Sequence, residues 1–401
     1  MYNLNSHYEN IANLANSIIA GSRVVYLHPF GATQPENVEL IDPSDGSQPM
    51  ILAYDQEPID AHYNSYLVEN VLDNFMDEWG FRKKSIILIS TEKQSKEKDN
   101  LCKKFNLIDV NYFFHGACAS DWYRGYKFDA GITNPSQRKL TKKFITFNRI
   151  TGNSRIYRTV LMAKLSAKDL LDDAYASFSP VCPVHGTHYR DSLRKDGHKF
   201  GINADQAKQL IGGLNQIEYP CRIDNKDSDN IPNQSFSIGP LQELMSSFLH
   251  VVTETMFWDD RTHLTEKIFK PIVAKQPFVL VGCYKNLEYL KSYGFKTFDH
   301  WWSEDYDNIA DPHQRLDAVV DVIEKICKLS LGDLEDMLVE MQEVLEYNHN
   351  WFYNPEFINS VWDELKTNLT VGLNDKRLIR TQEELDANFA IVNEKRLHRT
   401  A

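Results

Sequence analysis

A carboxylate and an ammonium group stand side by side in the stretch HLTEKIFKPIVAKQPFVLVG, residues 263–282. If Thr265 caps a helix, Glu266 and Lys267 fall in its first turn, where free backbone amides and the helix dipole attract anions. The carboxylate can accept ribose hydroxyls and the ammonium can reach a phosphate. The pattern therefore indicates a nucleotide diphosphate site; the alternative is that the pair only complements the dipole and contacts water. Pro271 is expected to kink this helix.

A second concentration of charge lies between residues 130 and 168, which contain no Asp or Glu and nine basic residues. Its centre, FITFNRITGNSRIYRTVLMAKL, has the pattern of a strand, a polar loop and a helix that opens with Arg155 and Arg158. Guanidinium groups bind phosphate oxygens through paired hydrogen bonds, so both are candidate diphosphate ligands. The alternative is an ordinary solvated face. The nine residues are Arg138, Lys139, Lys142, Lys143, Arg149, Arg155, Arg158, Lys164 and Lys168.

Two further carboxylates follow an apolar run in the stretch AYDQEPID. Asp55 and Glu57 stand where a predicted strand ends at a turn enforced by Pro58, and on an extended chain they point to the same side. Either is a candidate general base for a substrate hydroxyl; the alternative is a carboxylate in a solvated turn. His28 and His115 also follow apolar runs, and each is either a weak candidate for binding an acceptor or a core histidine.

Alternating strand-like and helix-like runs position these residues. The first part of the chain contains SRVVYLHPF, MILAYDQEP, SYLVENVLDNFMDEW, KSIILIST, KEKDNLCKKFN and VNYFFHG, an order that predicts βαβ units and a parallel sheet. A polar linker near residues 128–140 precedes a second series, in which KFITFNR, ASFSPV, SFLHVVTET, PFVLVG and FKTF are strand-like. The expected fold class is α/β, with two Rossmann-like, doubly wound domains.

The predicted domains are an N-terminal Rossmann-like domain at residues 1–135, which would bind the acceptor, a second at residues 141–330, and C-terminal helices at residues 331–401. The helical segment contains LGDLEDMLVEMQEVLEYNHNWF and PEFINSVWDELKTNL, whose apolar residues recur at three- and four-residue spacing. Open parallel sheets bind ligands beyond the carboxyl ends of their strands. Two such sheets facing a cleft suit an enzyme with two substrates.

The bulk composition excludes several classes of protein. With 42% hydrophobic and 25% charged residues among 401, and no apolar run of membrane-spanning length, the sequence is typical of a globular protein. The N-terminus has no secretory-signal pattern and the six cysteines have no repeated spacing, so we expect a cytoplasmic protein without a membrane partner. A net charge of -12 opposes a uniformly positive surface. Without a Walker loop, a GxGxxG motif or a nucleophile elbow, the ATPase, dehydrogenase and α/β-hydrolase interpretations lack their basic parts.

The stretch CPVHGTH sets Cys182, His185 and His188 at intervals that metal ligands often have. A structural zinc ion takes four ligands, and no clear fourth ligand lies nearby in the sequence. We therefore expect neither a metal site nor a cofactor.

The second half of the chain resembles the α1,3-fucosyltransferase family over about residues 143–300. The likeness lies in a strand that ends in Glu254, a loop, the Thr-Glu-Lys stretch and a "P…G" strand ending at Gly282, and in Arg158 followed by Leu165 seven positions later. An aromatic residue that the family often places two positions before its Thr-Glu is out of register here. The resemblance implies a metal-independent transferase of the two-domain GT-B architecture that uses a nucleotide-diphosphate sugar and inverts the anomeric centre.

The same resemblance implies a role for each candidate. Glu266 would bind the ribose, Arg155, Arg158 and Lys267 the diphosphate, and Glu254 the sugar, while Glu57 or Asp55 would act as base.

The acceptor and the oligomeric state stay open. The run "LTEK…PFVLVG…GFKTF" resembles viral, particularly phage, transferases, so the acceptor is either a glycan or small molecule, or a hydroxymethylated base in phage DNA reached from the host cytoplasm. A DNA acceptor requires an exposed nucleotide and a basic rim. A rival interpretation is a non-catalytic nucleic-acid-binding protein that uses the basic segment 138–168.

Overall fold

The computed structural model describes residues 4–27, 49–60, 69–70, 72, 86–219, 221, 223 and 237–378. The chain divides into two compact units. Unit 1 is Met1–Ala117 with Asn359–Ala401, and unit 2 is Cys118–Ile358. The expected linker at residues 128–140 lies within unit 2, and the expected C-terminal helical segment is divided between the units.

Unit 1 contains a sheet of short parallel strands with helices. Its elements are α1 (Leu4–Ile18), β1 (Arg23–Tyr26), β2 (Met50–Tyr54), β3 (Ile86–Ser90), α2 (Lys96–Phe105) and β4 (Ile108–Asn111), followed by α3 (Phe114–Trp122), which crosses into unit 2. The helix predicted at SYLVENVLDNFMDEW lies largely outside the described residues. The helix predicted at KEKDNLCKKFN is confirmed as α2, with Ser95 as its N-cap and Asn106 in the left-handed conformation at its end.

The strands of unit 1 pair in the order β1-β2-β3-β4, all parallel. Every residue of β2 and β3 is buried, which explains why both read as uninterrupted apolar runs. The C-terminal helix packs closely on this sheet, since a Cβ on Gly372 would lie 2.8 Å from Val110 Cγ2. Among the described strands of unit 1, neighbours follow chain order.

Unit 2 contains a second sheet and most of the helices. Its elements are β5 (Lys142–Asn148), α4 (Ile156–Ala167), β6 (Ala174–Phe178), α5 (Tyr189–Asp191), α6 (Ala204–Leu214), α7 (Leu241–Met245), β7 (Ser247–Thr253), α8 (Phe269–Val273), β8 (Phe278–Val281), α9 (Asn286–Ser292), α10 (Pro312–Cys327), α11 (Leu331–Phe352) and α12 (Pro355–Leu373), which continues into unit 1. The two predicted terminal helices are confirmed as α11 and α12.

The strands of unit 2 pair in the order β6-β5-β7-β8, again all parallel. The chain moves from β5 to one side and then returns to place β7 on the other. The sheet therefore has a topological switch point between β5 and β7, the position where open α/β sheets bind ligands. The α/β class with two parallel sheets is as predicted and is compatible with a two-domain Rossmann-like fold.

The strand predicted at FKTF is wrong. Residues 295–298 form no strand, because side chains satisfy their backbone groups in place of a neighbouring strand. Asn348 bonds both the amide and the carbonyl of Lys296, at 2.9 and 2.8 Å. Glu304 accepts from the Phe298 amide at 2.8 Å and from the Thr297 hydroxyl at 2.6 Å. Within the described residues, no helix is long and apolar enough to cross a membrane.

Candidate functional site

The two segments predicted to bind a diphosphate lie on either side of the switch point in unit 2. The loop that follows β5 consists of residues 149–155 and is called the β5 loop; the loop that follows the neighbouring strand β7 consists of residues 254–268 and is called the β7 loop. Trp258 of the β7 loop donates its indole N–H to the Ser154 carbonyl of the β5 loop at 2.8 Å. Sequence-distant residues are therefore brought together at one edge of the sheet.

Arg158 joins the two loops from within. Its guanidinium donates to three backbone carbonyls, at 3.1 Å to Ile150, 3.0 Å to Thr253 and 2.7 Å to Glu254, and Nε donates to the Tyr157 hydroxyl at 3.2 Å. The Tyr157 hydroxyl also donates to the Glu254 carbonyl. With the residue only 4% exposed, Arg158 is placed to hold the loops and not to present its charge to solvent.

Arg155 is the last residue of the β5 loop. It ends a short 3₁₀ turn, Asn153–Arg155, that leads into α4, and Asn153 takes a left-handed backbone conformation with a φ of 52°. Arg155 is 6% exposed, and its positive charge acts on His185 of the loop that follows β6. Both arginines are therefore buried, and the charge of Arg155 reaches the loop that follows β6.

Glu254 is fully buried at the end of β7 and binds its own loop. Its carboxylate accepts from the Thr265 hydroxyl at 2.6 Å, the Thr265 amide at 3.3 Å and the Thr255 amide at 3.2 Å. Burial raises the pKa of this carboxyl, although the charge of Lys267 opposes the shift. Its hydrogen bonds close the β7 loop.

Thr265 does not cap a helix, contrary to expectation. Residues 266–268 form a turn and the α-helix begins only at Phe269. The Thr265 hydroxyl donates to Glu254 and accepts from the Lys267 amide at 3.4 Å, so it closes this turn and not the first turn of the helix. Pro271 is the third residue of α8, a first-turn position that needs no amide donor, so the expected kink is absent.

Glu266 and Lys267 lie at the surface of this turn. The Lys267 ammonium donates to the hydroxyls of Thr255 and Thr265 at 3.1 and 3.0 Å, and to Glu266 Oε1 at 3.1 Å. Its side chain is 30% exposed and that of Glu266 is 13% exposed. Lys267 is therefore both oriented by neutral hydroxyls and accessible to an anion.

Sequence reasoning missed Asn286, which holds the far end of the β7 loop. Its side-chain amide donates to the His263 carbonyl at 2.8 Å, and its Oδ1 accepts from the His263 amide at 3.4 Å. Gly282 allows the asparagine to approach closely, since a Cβ there would lie 3.1 Å from Asn286 Nδ2. An asparagine four residues after a strand-ending glycine was the available signal in the sequence.

Asp55, one of the two candidate bases, is fully buried in unit 1. Its two carboxylate oxygens accept from the hydroxyls of Tyr8 at 2.6 Å and Tyr112 at 2.5 Å. Burial raises the pKa of Asp55 to about 6 in spite of these hydrogen bonds. The Tyr112 hydroxyl also lies 2.7 Å from His7 Nε2, and burial lowers the pKa of His7 to about 4.

Glu57, the other candidate base, is half-buried in the turn after β2. The turn is held two residues before Glu57 by the Asp55 network and two residues after it by Glu92, whose Oε1 accepts from the Ile59 amide at 3.1 Å. Glu92 is itself fully buried. This arrangement fixes the backbone of Glu57 on both sides; the residue as a whole is half-buried, and its Oε2 atom is buried.

The two weak acceptor candidates are placed differently. His28 lies outside the described residues. His115 is 4% exposed near the start of α3, with its ring edge-on to Phe114 at 5.2 Å between centroids. The core alternative fits the burial of His115.

Acidic side chains from elsewhere in unit 2 neutralise much of the basic segment. Arg138 is 3% exposed and donates to the carbonyls of Thr133 and Ala274. Four lysines form ion pairs, which join Lys139 to Glu335, Lys143 to Asp173, Lys164 to Asp317, and Lys168 to both Glu324 and Asp321. The missing counter-charges of the sequence are therefore supplied by the fold.

Within the described part of the chain, no group of three or more His, Cys, Asp or Glu side chains is placed to hold a metal ion. Comparison with known proteins gives no assignment: no protein-family model matches the chain, and a search of curated proteins finds no match.

Proposed function

We propose that this protein is a glycosyltransferase that moves a sugar from a nucleotide-diphosphate sugar to a hydroxyl acceptor without a metal ion. One observation carries the proposal: the loops that contain Arg155 and Lys267 flank the switch point of the second sheet. Ligands of open α/β sheets bind at this position. The resemblance of the same segments to the α1,3-fucosyltransferases supports the choice of ligand.

The donor is bound by unit 2. Lys267 offers an oriented, partly exposed ammonium to the diphosphate, and Arg155 offers a guanidinium from the opposite loop. Glu266 lies beside Lys267 and accepts the ribose hydroxyls. Two cations at the phosphates stabilise the charge of the leaving nucleotide, which is the work that a metal ion performs in other transferases.

Two residues expected to touch the donor receive supporting roles instead. Arg158 bonds the carbonyls of both loops, and Glu254 bonds Thr255 and Thr265. Both side chains are also buried, whereas that of Lys267 is 30% exposed, so turning either one to a ligand would break hydrogen bonds that the interior cannot replace. We therefore describe both as positioning residues for the β5 and β7 loops.

Glu57 is the proposed base. It takes the proton of the acceptor hydroxyl as the sugar is transferred, and the expected outcome is inversion at the anomeric carbon. Asp55 is disfavoured because both of its oxygens already accept from tyrosines and it is fully buried. Asp55 instead anchors the turn that carries Glu57.

The ion pairs of the basic segment favour a glycan or small-molecule acceptor over DNA. A DNA acceptor needs a rim of unpaired cations, and the same is true of the rival nucleic-acid-binding protein. Four lysines of this segment are paired with carboxylates. DNA with a hydroxymethylated base remains the second acceptor to test.

The proposal is tested by thermal unfolding with GDP, UDP and their sugar conjugates. A ligand that binds the folded state raises the melting temperature by simple linkage, with about 2.7 kcal/mol of stabilisation at a hundred times Kd. We expect at least one nucleotide to do so, and Lys267→Ala to weaken its binding by about tenfold or more, the loss of one charged hydrogen bond.

Lys139→Ala is the matched control, because this ammonium is 87% exposed and belongs to the same unit. Its nucleotide affinity is expected to equal that of the wild type. If no nucleotide shifts the wild-type transition, the donor site is wrong; if duplex DNA shifts it in a salt-dependent way instead, the rival function is favoured.

A further inference from the structure

The loop that follows β6 carries the CPVHGTH motif, which the proposed function does not use. Its backbone closes on itself through a bridge between Val181 and His188 and through hydrogen bonds from the Cys182 amide to the Thr187 carbonyl at 2.9 Å and from the Gly186 amide to the Cys182 carbonyl at 2.8 Å. These bonds fix the path of the chain on both sides of His185. The imidazole is therefore held by a closed turn.

This loop packs tightly against the β5 loop. A Cβ on Gly152 would lie 3.0 Å from His185 Cδ2 and 3.7 Å from Cys182 Sγ, so only glycine allows this approach without a shift. Burial alone would raise the pKa of the Cys182 thiol, but backbone amides, those of Thr151 and Gly152 among them, hold the pKa below its usual value. The sulfur thus links the two loops.

His185 stands next to the proposed diphosphate ligands. Its Nε2 lies 3.4 Å from Asn153 Nδ2, an amide nitrogen that can only donate, so the ring accepts through Nε2. The imidazole is half-buried. Burial lowers the pKa of His185, and the positive charge of Arg155 lowers it further. Among the described residues, Arg155 of the β5 loop acts on the ring through its charge, and Cys182 of the same turn contacts Gly152 beside it.

We infer that His185 is a further diphosphate-binding residue, and that it takes up one proton when the diphosphate binds beside Arg155. The identity of the ligand rests on the proposed function. In the empty site the guanidinium disfavours a second positive charge on the neighbouring ring. A bound diphosphate reverses this field, because its negative charge outweighs that of Arg155. The proton comes from solvent and goes to Nε2, which then donates to a phosphate oxygen in place of accepting from Asn153.

The inference predicts a binding affinity that depends on pH through this one side chain. Inorganic pyrophosphate and a nucleoside diphosphate, GDP or UDP, are titrated by calorimetry against the wild type and His185→Gln from about pH 6 to pH 8. Protonation of the ligand itself is common to both proteins and cancels in the ratio of their Kd values. We expect wild-type binding to weaken relative to His185→Gln as pH rises, by up to about tenfold per pH unit, the slope that uptake of one proton produces.

His198→Gln is the control, since His198 is exposed in the same unit and outside the site. It is expected to follow the wild-type curve. A pH-independent Kd ratio for His185→Gln with both ligands overturns the inference but leaves the proposed donor site intact. His185-dependent proton uptake with pyrophosphate, but no binding of GDP or UDP, supports the anion site and contradicts the proposed function. No binding of any of these ligands contradicts both.

Discussion

Single buried side chains decide which candidate residues of this protein can act on a ligand. Arg155 and Arg158 lie one helical turn apart, yet Arg158 donates to three carbonyls while Arg155 sits beside His185. Asp55 and Glu57 are two positions apart, yet Asp55 is buried and accepts hydrogen bonds from two tyrosine hydroxyls, and Glu57 is only half-buried. In both cases, one residue of the pair forms hydrogen bonds to distant parts of the chain and stabilises a loop or turn, and the other is proposed to contact a ligand.

The Asp55 network makes a prediction about stability and pH. Asp55 has a folded-state pKa of about 6 against 3.8 for the free group, so its stabilising contribution exists at low pH and is lost as pH rises through about 6. His7 has a folded-state pKa of about 4 against 6.5, so its contribution is lost as pH falls through about 4. Between about pH 4 and pH 6, the folded and the unfolded chain each bind one proton at these two residues: Asp55 binds it in the folded state and His7 in the unfolded state. The two pH dependences therefore oppose each other.

Asp55→Asn removes one side of this balance. We expect its free energy of unfolding to fall by about 2 kcal/mol more than that of the wild type between pH 6.5 and pH 4.5, since only His7 then titrates in the network. Urea denaturation at both pH values measures the difference, and His250, whose pKa burial also lowers, contributes equally to both proteins. Parallel stability curves would contradict the assigned network.

At the scale of elements, the β7 loop shows how a surface turn acquires a defined shape. One end is held by the Glu254 carboxylate and the other by the Asn286 side chain. Between them, Thr265 donates its hydroxyl to Glu254 and accepts from the Lys267 ammonium at 3.0 Å. A buried carboxylate and a surface ammonium are thus connected through one hydroxyl group, which couples the stability of the loop to the geometry of the proposed donor site.

Thr265→Val tests this coupling, because valine keeps the shape of the side chain and removes the hydroxyl. We expect unit 2 to lose about 2 kcal/mol, because the buried carboxylate loses its hydroxyl donor and keeps only the amides of Thr255 and Thr265. Nucleotide binding should also weaken, because the Lys267 ammonium loses one of its acceptors. The loss should be smaller in a Glu254→Gln background, because the neutral side chain at position 254 depends less on the Thr265 hydroxyl than the carboxylate does. Thr265→Ser retains the hydroxyl and serves as control for nucleotide affinity. Equal costs of Thr265→Val in both backgrounds would refute the link.

At the scale of the whole molecule, the two units supply different parts of the proposed chemistry. Unit 2 has a sheet with a switch point and carries the residues proposed to bind the donor, and unit 1 carries the carboxylate proposed as base. Unit 2 also pairs its basic segment with acids from α10 and α11, so that lysines at positions 139, 164 and 168 are neutralised by residues far along the chain. The positive charge that is concentrated in one segment of the sequence is thereby partly neutralised in the folded chain.

Glu57→Gln separates the two parts. If the donor site belongs to unit 2, the variant should bind nucleotide with the wild-type Kd, while transfer falls by about a hundredfold or more because the base is missing. Nucleotide release in the presence of acceptor measures transfer, and calorimetry measures binding. Glu9→Gln, an exposed position on α1, is the control. Undiminished transfer by Glu57→Gln would assign the base elsewhere.

Local pattern was enough to predict the elements whose burial is continuous or regularly spaced. β2, β3 and β7 are buried at every residue, and apolar periodicity marks α11 at its observed limits. FKTF, in contrast, is short and has two polar residues between its phenylalanines, and side chains from Glu304 and Asn348 satisfy its backbone. So short a segment cannot indicate which partner its amides will find.

The amino-acid sequence by itself determined the α/β class, the parallel sheets and the segments in which acids and bases concentrate, because these depend on the order and spacing of neighbouring residues. Only the tertiary structure decided which charges remain available. The partners of Arg158, Asp55 and the lysines of the basic segment come from residues distant in the chain, and burial together with those partners determines whether a charged group supports the fold or meets a ligand.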